Sequence, residues 1–285
     1  MIDYKKIGNT LILALLEAHK VHNELGLKGL EEVQNNKYGD KALRVDVECE
    51  AAVINFLKGI SFPLRMYSEE HETADITPAP RYTGVMDGCD GTSKYKEAPG
   101  VGRYSTMFAI YEGLNPSYDN YIVCGICEHA TKKIYFAIKG QGAYEIDIET
   151  MARKRIYAAK LRVLIEPVIY IDEYWEFCRN LYSAKMQQFA IPGRSFCTMS
   201  STIYYVDLVR GDAHLVLDCS HKGNLEIAVS YGIIREAGGV VVDLKGISIG
   251  KRKYLEYGQK DNEPEVFISG CTLELTLRAV EYLEK

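Results

Sequence analysis

Along the first 25 residues a polar start gives way to a short apolar run that charged residues and histidines interrupt, "MIDYKKIGNTLILALLEAHK". That alternation predicts one long amphipathic helix over 3–25. A second helix is predicted over "VDVECEAAVINFLKG", beginning near Asp46 with acidic residues in its first turn. Short apolar runs then predict strands at 63–68, 82–87, 104–112, 121–128 and 133–139. After Gly140 the pattern changes. "LRVLIEPVIYI" and "AHLVLDC" read as fully buried strands, and helical spacing returns around 173–186, 200–210 and 225–237. "GGVVVDLKG" gives a strand and turn, and "TLELTLRAVEYLEK" a closing helix. The chain therefore divides into two α/β halves, 1–147 and 148–285.

Composition narrows the classes of partner. The 285 residues are 47% hydrophobic and 26% charged, enough apolar material for one large core or two adjoining ones. The 34 basic and 39 acidic side chains are interspersed and sum to a net charge of -5, so there is no electrostatic footprint for nucleic acid. The amino-terminal apolar run is too short to span a bilayer and lacks the continuous apolar region of a signal peptide, which places the chain in the cytoplasm with no membrane partner. The 8 cysteines are then most simply reduced, buried small hydrophobes. One pair, Cys124 and Cys127, has the spacing of redox and zinc sites, but the run around it reads as two strands joined by a turn at 129–133. Strand residues three apart point to opposite faces, which opposes a shared metal or a disulfide.

The candidate chemistry lies elsewhere, in "GVMDGCDGTSKY" at 84–95. Asp87 and Asp90 stand where the strand over 82–87 runs out into a glycine-rich turn, and two carboxylates so close repel unless protons or a cation intervene. A magnesium ion answers that need, since it takes oxygen ligands and commonly binds phosphate alongside, and the peptide carbonyl of Cys89 offers a further oxygen. Isolated Asp-Gly turns are common without any ligand. More acids accompany this one: Glu69 and Glu70 end the preceding apolar strand, Asp46 begins a helix, and Glu226 begins another.

The series "GDKALRVDVECE", "YSEEHE", "VMDGCDGTSKY", "IKGQGAYE" and "EAGGVVVD", in that order over nearly the whole chain, resembles the inositol monophosphatase family of magnesium-dependent, lithium-sensitive sugar-phosphate phosphatases, which includes archaeal-type fructose-1,6-bisphosphatases. The resemblance implies an α-β-α-β-α sandwich with the site between its halves, the first carrying most of the metal ligands. It implies two or three Mg²⁺ ions, held by Glu69, Asp87, the Cys89 carbonyl and Asp90, with Glu226 completing a second site and Asp46 orienting a third ion. Thr92, Asp46 and Glu69 would carry the catalytic step, with Thr92 and Asp46 positioning the attacking water. A one-residue slip would exchange Glu69 for Glu70. Gly91 and Thr92 would offer backbone amides to the phosphate, Ser200 and Ser201 would line the substrate pocket, and Asp218 would bind substrate hydroxyls. Lys222, or Arg194, would meet a second phosphate. The partner is then a small phosphate ester, inositol monophosphate or a sugar bisphosphate, and the family often forms homodimers.

Two departures mark this sequence. Gly88 and Cys89 stand where the family has proline and an aliphatic residue, which leaves the loop less rigid. "LEIAVS" at 225–230 stands where the family shows Trp-Asp-x-x-Ala-Gly, so Glu226 replaces an aspartate and its extra methylene moves the carboxylate by about 1.5 Å. Two functions of different class follow: an active phosphatase whose second metal is held by a longer arm, or a catalytically reduced relative that binds a sugar phosphate or nucleotide as a sensor or assembly partner.

Overall fold

Asp3 caps helix α1 (Tyr4–Leu25), its carboxylate accepting from the Lys6 amide at 2.9 Å. The buried residues Ile7, Leu11, Leu15 and Ala18 then fall three or four apart on one face. Helix α2 (Arg44–Gly59) does the same with Val45, Cys49, Val53 and Leu57. Each fully buried Leu or Val contributes about 1.5–3 kcal/mol, which is what holds these helices on the sheet beneath them. The computed structural model describes residues 3–36, 41–71, 73–161, 167–171, 185, 196–197, 202–218, 225–257 and 266–284.

The sheet under α1 and α2 is built from β3 (Leu64–Ser68), β4 (Thr73–Asp75), β5 (Tyr82–Asp90), β6 (Ser105–Glu112), β7 (Tyr121–Glu128), β8 (Lys133–Ile138), β9 (Gly142–Asp147) and β10 (Arg153–Ile156). They lie in the order β10-β9-β8-β7-β6-β5-β3-β4, antiparallel except for the β3–β5 pair. A separate short pair joins β1 (Glu32–Asn35) to β2 (Lys41–Leu43). Both faces of the large sheet are covered. In β6, Phe108 and Ile110 enter the core under α1 and α2, while Met107, Ala109 and Tyr111 enter the core on the other side. That double burial is why its central strands read as unbroken apolar runs rather than alternating ones.

The opposite face is covered by α5 (Leu225–Glu236), with α4 (Ile203–Arg210) beside it. These two helices separate the large sheet from a second one, whose described strands are β11 (Ile169–Ile171), β12 (Phe196–Cys197), β13 (Leu215–Asp218), β14 (Val240–Asp243) and β15 (Phe267–Gly270), in the order β12-β11-β13-β15-β14. Helix α6 (Tyr254–Tyr257) is a single turn, and α7 (Leu273–Glu284) packs on β14 and β15 to complete the expected α-β-α-β-α layering. No helix among the described residues is long and apolar enough to cross a membrane.

Most expected elements appear within two or three residues of their sequence bounds. The strand expected over 82–87 instead runs through Asp90, and β1, β2, β4, β9, β10, β12 and β15 are not predicted from the pattern. Several of these are short and exposed, with burial too sparse to print a period on the sequence. Nearly all of the helix expected over 173–186 lies outside the described residues. Cys124 enters the core beneath α5 and Cys127 the core beneath α1, on opposite faces of β7 as strand geometry requires.

Candidate active site

The expected carboxylates converge at one end of the large sheet. Between β5 and β6 the register slips, with Asp87 opposite Met107 and Asp90 opposite Ser105, so Gly88 and Cys89 together face Thr106. This is a β-bulge, a device that bends a strand and re-aims its side chains. Asp87 and Asp90 are both buried as a result, and the Asp87 Oδ1 atom accepts from the Cys89 amide at 2.9 Å. The Cys89 side chain points into the apolar core, leaving its carbonyl toward Thr92. Gly91 follows with φ of +89°, a conformation glycine adopts without strain, and opens the short helix α3 (Thr92–Glu97).

Asp46 reaches the same place from the first turn of α2. Its Oδ2 accepts from the Leu43 amide at 2.7 Å, and its Oδ1 lies 3.3 Å from the Thr92 hydroxyl. That hydroxyl also lies 3.0 Å from the Cys89 carbonyl, so one proton faces two acceptors. A Cβ on Gly88 would stand 2.0 Å from the Asp46 carbonyl oxygen, and only glycine admits so close an approach of α2 to β5.

Glu69 and Glu70 sit just past β3, and Asn36 donates to both, at 3.0 and 3.3 Å. Beneath them lies a residue that the sequence reading missed. Glu50, fully buried on α2, accepts from the amides of Glu69, Glu70 and His71 and is 2.8 Å from His71 Nδ1. It holds the acidic loop by its backbone, and it raises the His71 imidazole above its ordinary range through that bond. The available signal was its spacing of four from Asp46, which puts both on one helical face.

Glu226 enters from the first turn of α5, on the opposite side of the sheet from Asp46. Its Oε2 is buried without a hydrogen-bond partner among the described residues. Asp218, at the end of β13, accepts from the Tyr205 hydroxyl and stands close enough to repel Glu226. Asp90 accepts from the Thr202 amide and hydroxyl, which ties β5 to the segment leading into α4. Ser200, Ser201, Lys222 and Arg194 lie outside the described residues.

The electrostatics follow from this crowding. Burial, then repulsion from Glu69, Asp90 and Asp46, pushes Asp87 well above the carboxylate range. Burial, then Asp90 and Asp218, does the same to Glu226. Asp46 is pushed up to about 8, by burial first and by Glu70 and Glu69 after it, against the pull of the Leu43 amide. Glu69 repels Asp87, Glu226 and Asp46, and Glu70 adds to the repulsion at Asp46.

No family model matches the chain. It is 25% identical over 213 residues to fructose-1,6-bisphosphatase/inositol-1-monophosphatase of Methanothermobacter thermautotrophicus, covering 71% of each chain. Inositol monophosphatase 2 of Rattus norvegicus is 27% identical over 221 residues, 73% of this chain and 69% of that one. Among solved structures, extragenic suppressor protein suhB of Bartonella henselae superposes with a TM-score of 0.76 at 17% identity, over 97% of this chain and 98% of that one. The inositol monophosphate-bound SaIMPase-II gives 0.72 at 16% identity, over 98% and 94%. In sequence and in fold the chain is similar to members of the inositol monophosphatase family.

Within this inositol monophosphatase fold the donor set suits hard divalent cations. Carboxylates and a peptide carbonyl gather as oxygen donors, and the buried Oε2 atoms of Glu226 and Glu70 have no partner among the described residues. Buried carboxylates left this way are costly unless protonated or neutralised by a cation.

Proposed function

We propose that the protein is a magnesium-dependent phosphatase acting on a small phosphate monoester, of the inositol monophosphate or sugar bisphosphate class. The observation that carries this reading is Glu226, whose buried, unpartnered oxygen stands among Asp90, Asp218 and Glu69 where only a cation or a proton relieves the repulsion. Glu69, Asp87, the Cys89 carbonyl, Asp90 and Glu226 would hold magnesium, with Asp46 as a further ligand. When bound, magnesium supplies charge neutralisation of the phosphoryl oxygens, activation of water and stabilisation of the departing alkoxide.

The chain's own groups do the rest. The Thr92 hydroxyl proton faces both Asp46 and the Cys89 carbonyl, which fits Thr92 to orient a water and Asp46, once a cation has made it a carboxylate, to receive its proton. The Gly91 and Thr92 amides at the start of α3 would face the phosphate, and Asp218 would meet substrate hydroxyls. Glu50 and Asn36 keep Glu69 in place by holding its backbone and its carboxylate.

The test is phosphate release with and without Mg²⁺ from inositol 1-phosphate, fructose 1,6-bisphosphate and 3′-phosphoadenosine 5′-phosphate. Turnover of one of them that depends on Mg²⁺ is expected, with Asp90→Asn lowering it by about a hundredfold or more while keeping an acceptor for Thr202. No release from any of the three, with Mn²⁺ also supplied, would replace this reading with a ligand-binding role.

A further inference from the structure

Directly behind the bulge lie three buried histidines, His19 and His22 on α1 and His129 just after β7, with one ligand atom from each within 4.8 Å of the others. The spacing suggests a transition-metal site, but the geometry argues for something else. The His19 and His129 rings are within 4° of parallel, their Nδ1 atoms 3.0 Å apart and their centroids 5.3 Å apart. That centroid separation is the nitrogen–nitrogen distance plus one ring radius at each end, so the two nitrogens meet head-on. Metal ligands would converge on a point beside that line. Every ring nitrogen of the three is also within hydrogen-bond reach of a partner in the protein: His19 Nε2 with Asn23 Nδ2 at 3.0 Å, His22 Nδ1 with Asn23 Oδ1 at 3.2 Å, His22 Nε2 with the Tyr104 hydroxyl at 3.0 Å, and His129 Nε2 with the Thr106 hydroxyl at 2.9 Å.

One carbonyl fixes the direction of the whole chain. The Thr106 hydroxyl is 2.6 Å from the Gly88 carbonyl, which only accepts, so the single Thr106 proton goes there. Thr106 must then accept from His129 Nε2–H. Burial keeps all three imidazoles below their ordinary range and hence neutral. A neutral His129 leaves Nδ1 as an acceptor for His19 Nδ1–H, which makes His19 Nε2 an acceptor for the Asn23 amide. The Asn23 carbonyl then receives His22 Nδ1–H, and Tyr104 donates to His22 Nε2 while accepting the Gly100 amide at 2.6 Å. With the Cys127 thiol 3.9 Å from His129 Nδ1 as a further weak contact, this assignment gives each of these groups a partner.

We propose that this chain, running from Gly100 through Tyr104, His22, Asn23, His19, His129 and Thr106 to the Gly88 carbonyl, is a positioning device that sets the Asp87–Asp90 bulge for cation binding. The proposal rests on the phosphatase reading of that bulge. Its physical need is specific: Gly88 is the most permissive residue of the bulge, and the nearby Asp46 carbonyl forbids a side chain that would stiffen it. Rigidity has to come from outside, and Thr106, facing both bulged residues, delivers it to the carbonyl of the peptide group that joins Gly88 to Cys89.

Two measurements on the full chain test it. Nitrogen-15 NMR of the imidazoles near neutral pH should show neutral His129 protonated on Nε2 and neutral His19 and His22 protonated on Nδ1. Calorimetric titration of metal-stripped protein with Mn²⁺ should show Thr106→Val binding about 10–100-fold more weakly than wild type, and Thr106→Ser restoring affinity to within about threefold. A charged or Nδ1-protonated His129, a stoichiometric zinc ion in the purified protein, or unchanged Mn²⁺ affinity in Thr106→Val would each overturn the proposal. Wild-type protein that binds neither Mn²⁺ nor Mg²⁺ would instead remove the phosphatase reading and the positioning role with it, a failure distinguishable from the others because the NMR tautomers would be untouched.

Discussion

Two clusters of buried acids lie side by side on the same edge of the large sheet, where Asp90, Ser105 and Glu128 stand in register across β5, β6 and β7. At Glu128 the protein supplies its own cation. Arg103 donates to Glu128 at 2.8 Å and grips Asp207 on α4 with two parallel bonds at 2.8 and 2.9 Å, while Thr131 donates to the other Glu128 oxygen and Tyr170 adds a second bond to Asp207 Oδ2. At Asp87, Glu226 and Asp46 it supplies repulsion instead, and one Glu226 oxygen meets no partner among the described residues. One arrangement links the two halves of the chain, and the other leaves a place for charge to enter. A fold that pairs buried carboxylates a few residues away leaves these ones repelling, and the proposed cation site rests on that difference.

The largest effect should come from breaking the paired cluster. Arg103→Met strands two carboxylates that are buried, and should cost about 3 kcal/mol in urea unfolding, the lower end for such a pair because the guanidinium is partly exposed. The unpaired cluster should respond with the opposite sign. Glu226→Gln, unfolded in EDTA at pH 8, should be more stable than wild type by about 1–2 kcal/mol and should gain less from added Mg²⁺. Destabilisation by both substitutions would erase the contrast.

The pH dependence sharpens it at a smaller scale. Asp46 sits at about 8 in the folded protein and in the ordinary carboxylate range when unfolded, and Asp87 and Glu226 are shifted in the same direction. Over the interval between, the folded chain holds protons that the unfolded chain has released. Stability from this cluster is therefore complete in acid and declines as pH rises toward 8. The Tm of metal-free protein should fall between pH 5 and 8, and by roughly 5 °C more than in saturating Mg²⁺. Parallel curves would mean that no cation binds there.

The smallest effect belongs to Glu50, a carboxylate of the acidic region that does have partners. Glu50→Gln keeps an acceptor for two of the three amides of 69–71 but loses its charge, and should weaken Mg²⁺ binding about tenfold while the fold is kept. An effect as large as that of Asp90→Asn would make Glu50 a ligand rather than a support.

How far the sequence carried this is clearest at particular residues. The order of acids and glycines in "MDGCDGT", with Glu69 before it and Glu226 after, pointed to the family and to the chemistry, because ligand type and order are local properties of a chain. The runs around β5 to β8 and the amphipathic spacing of α1 and α2 fixed most of the layered architecture, since burial on one face or two writes a period into the residues. The exposed strands β1, β4 and β10 left no such trace. Glu50 read as one more helix charge, and the histidines as interruptions of an apolar run or the start of a turn.

What the sequence alone determined is therefore the set of groups and the surfaces each element must bury. Only the tertiary structure decided which groups meet. The β5 bulge aims Asp87 and Asp90 together, the close passage of α2 over Gly88 brings Asp46 to Thr92, and α1 lays His19 against His129, 110 residues away in the chain. Those meetings depend on register and helix placement across long loops, which are settled by packing and by the satisfaction of every buried polar group, not by any local pattern.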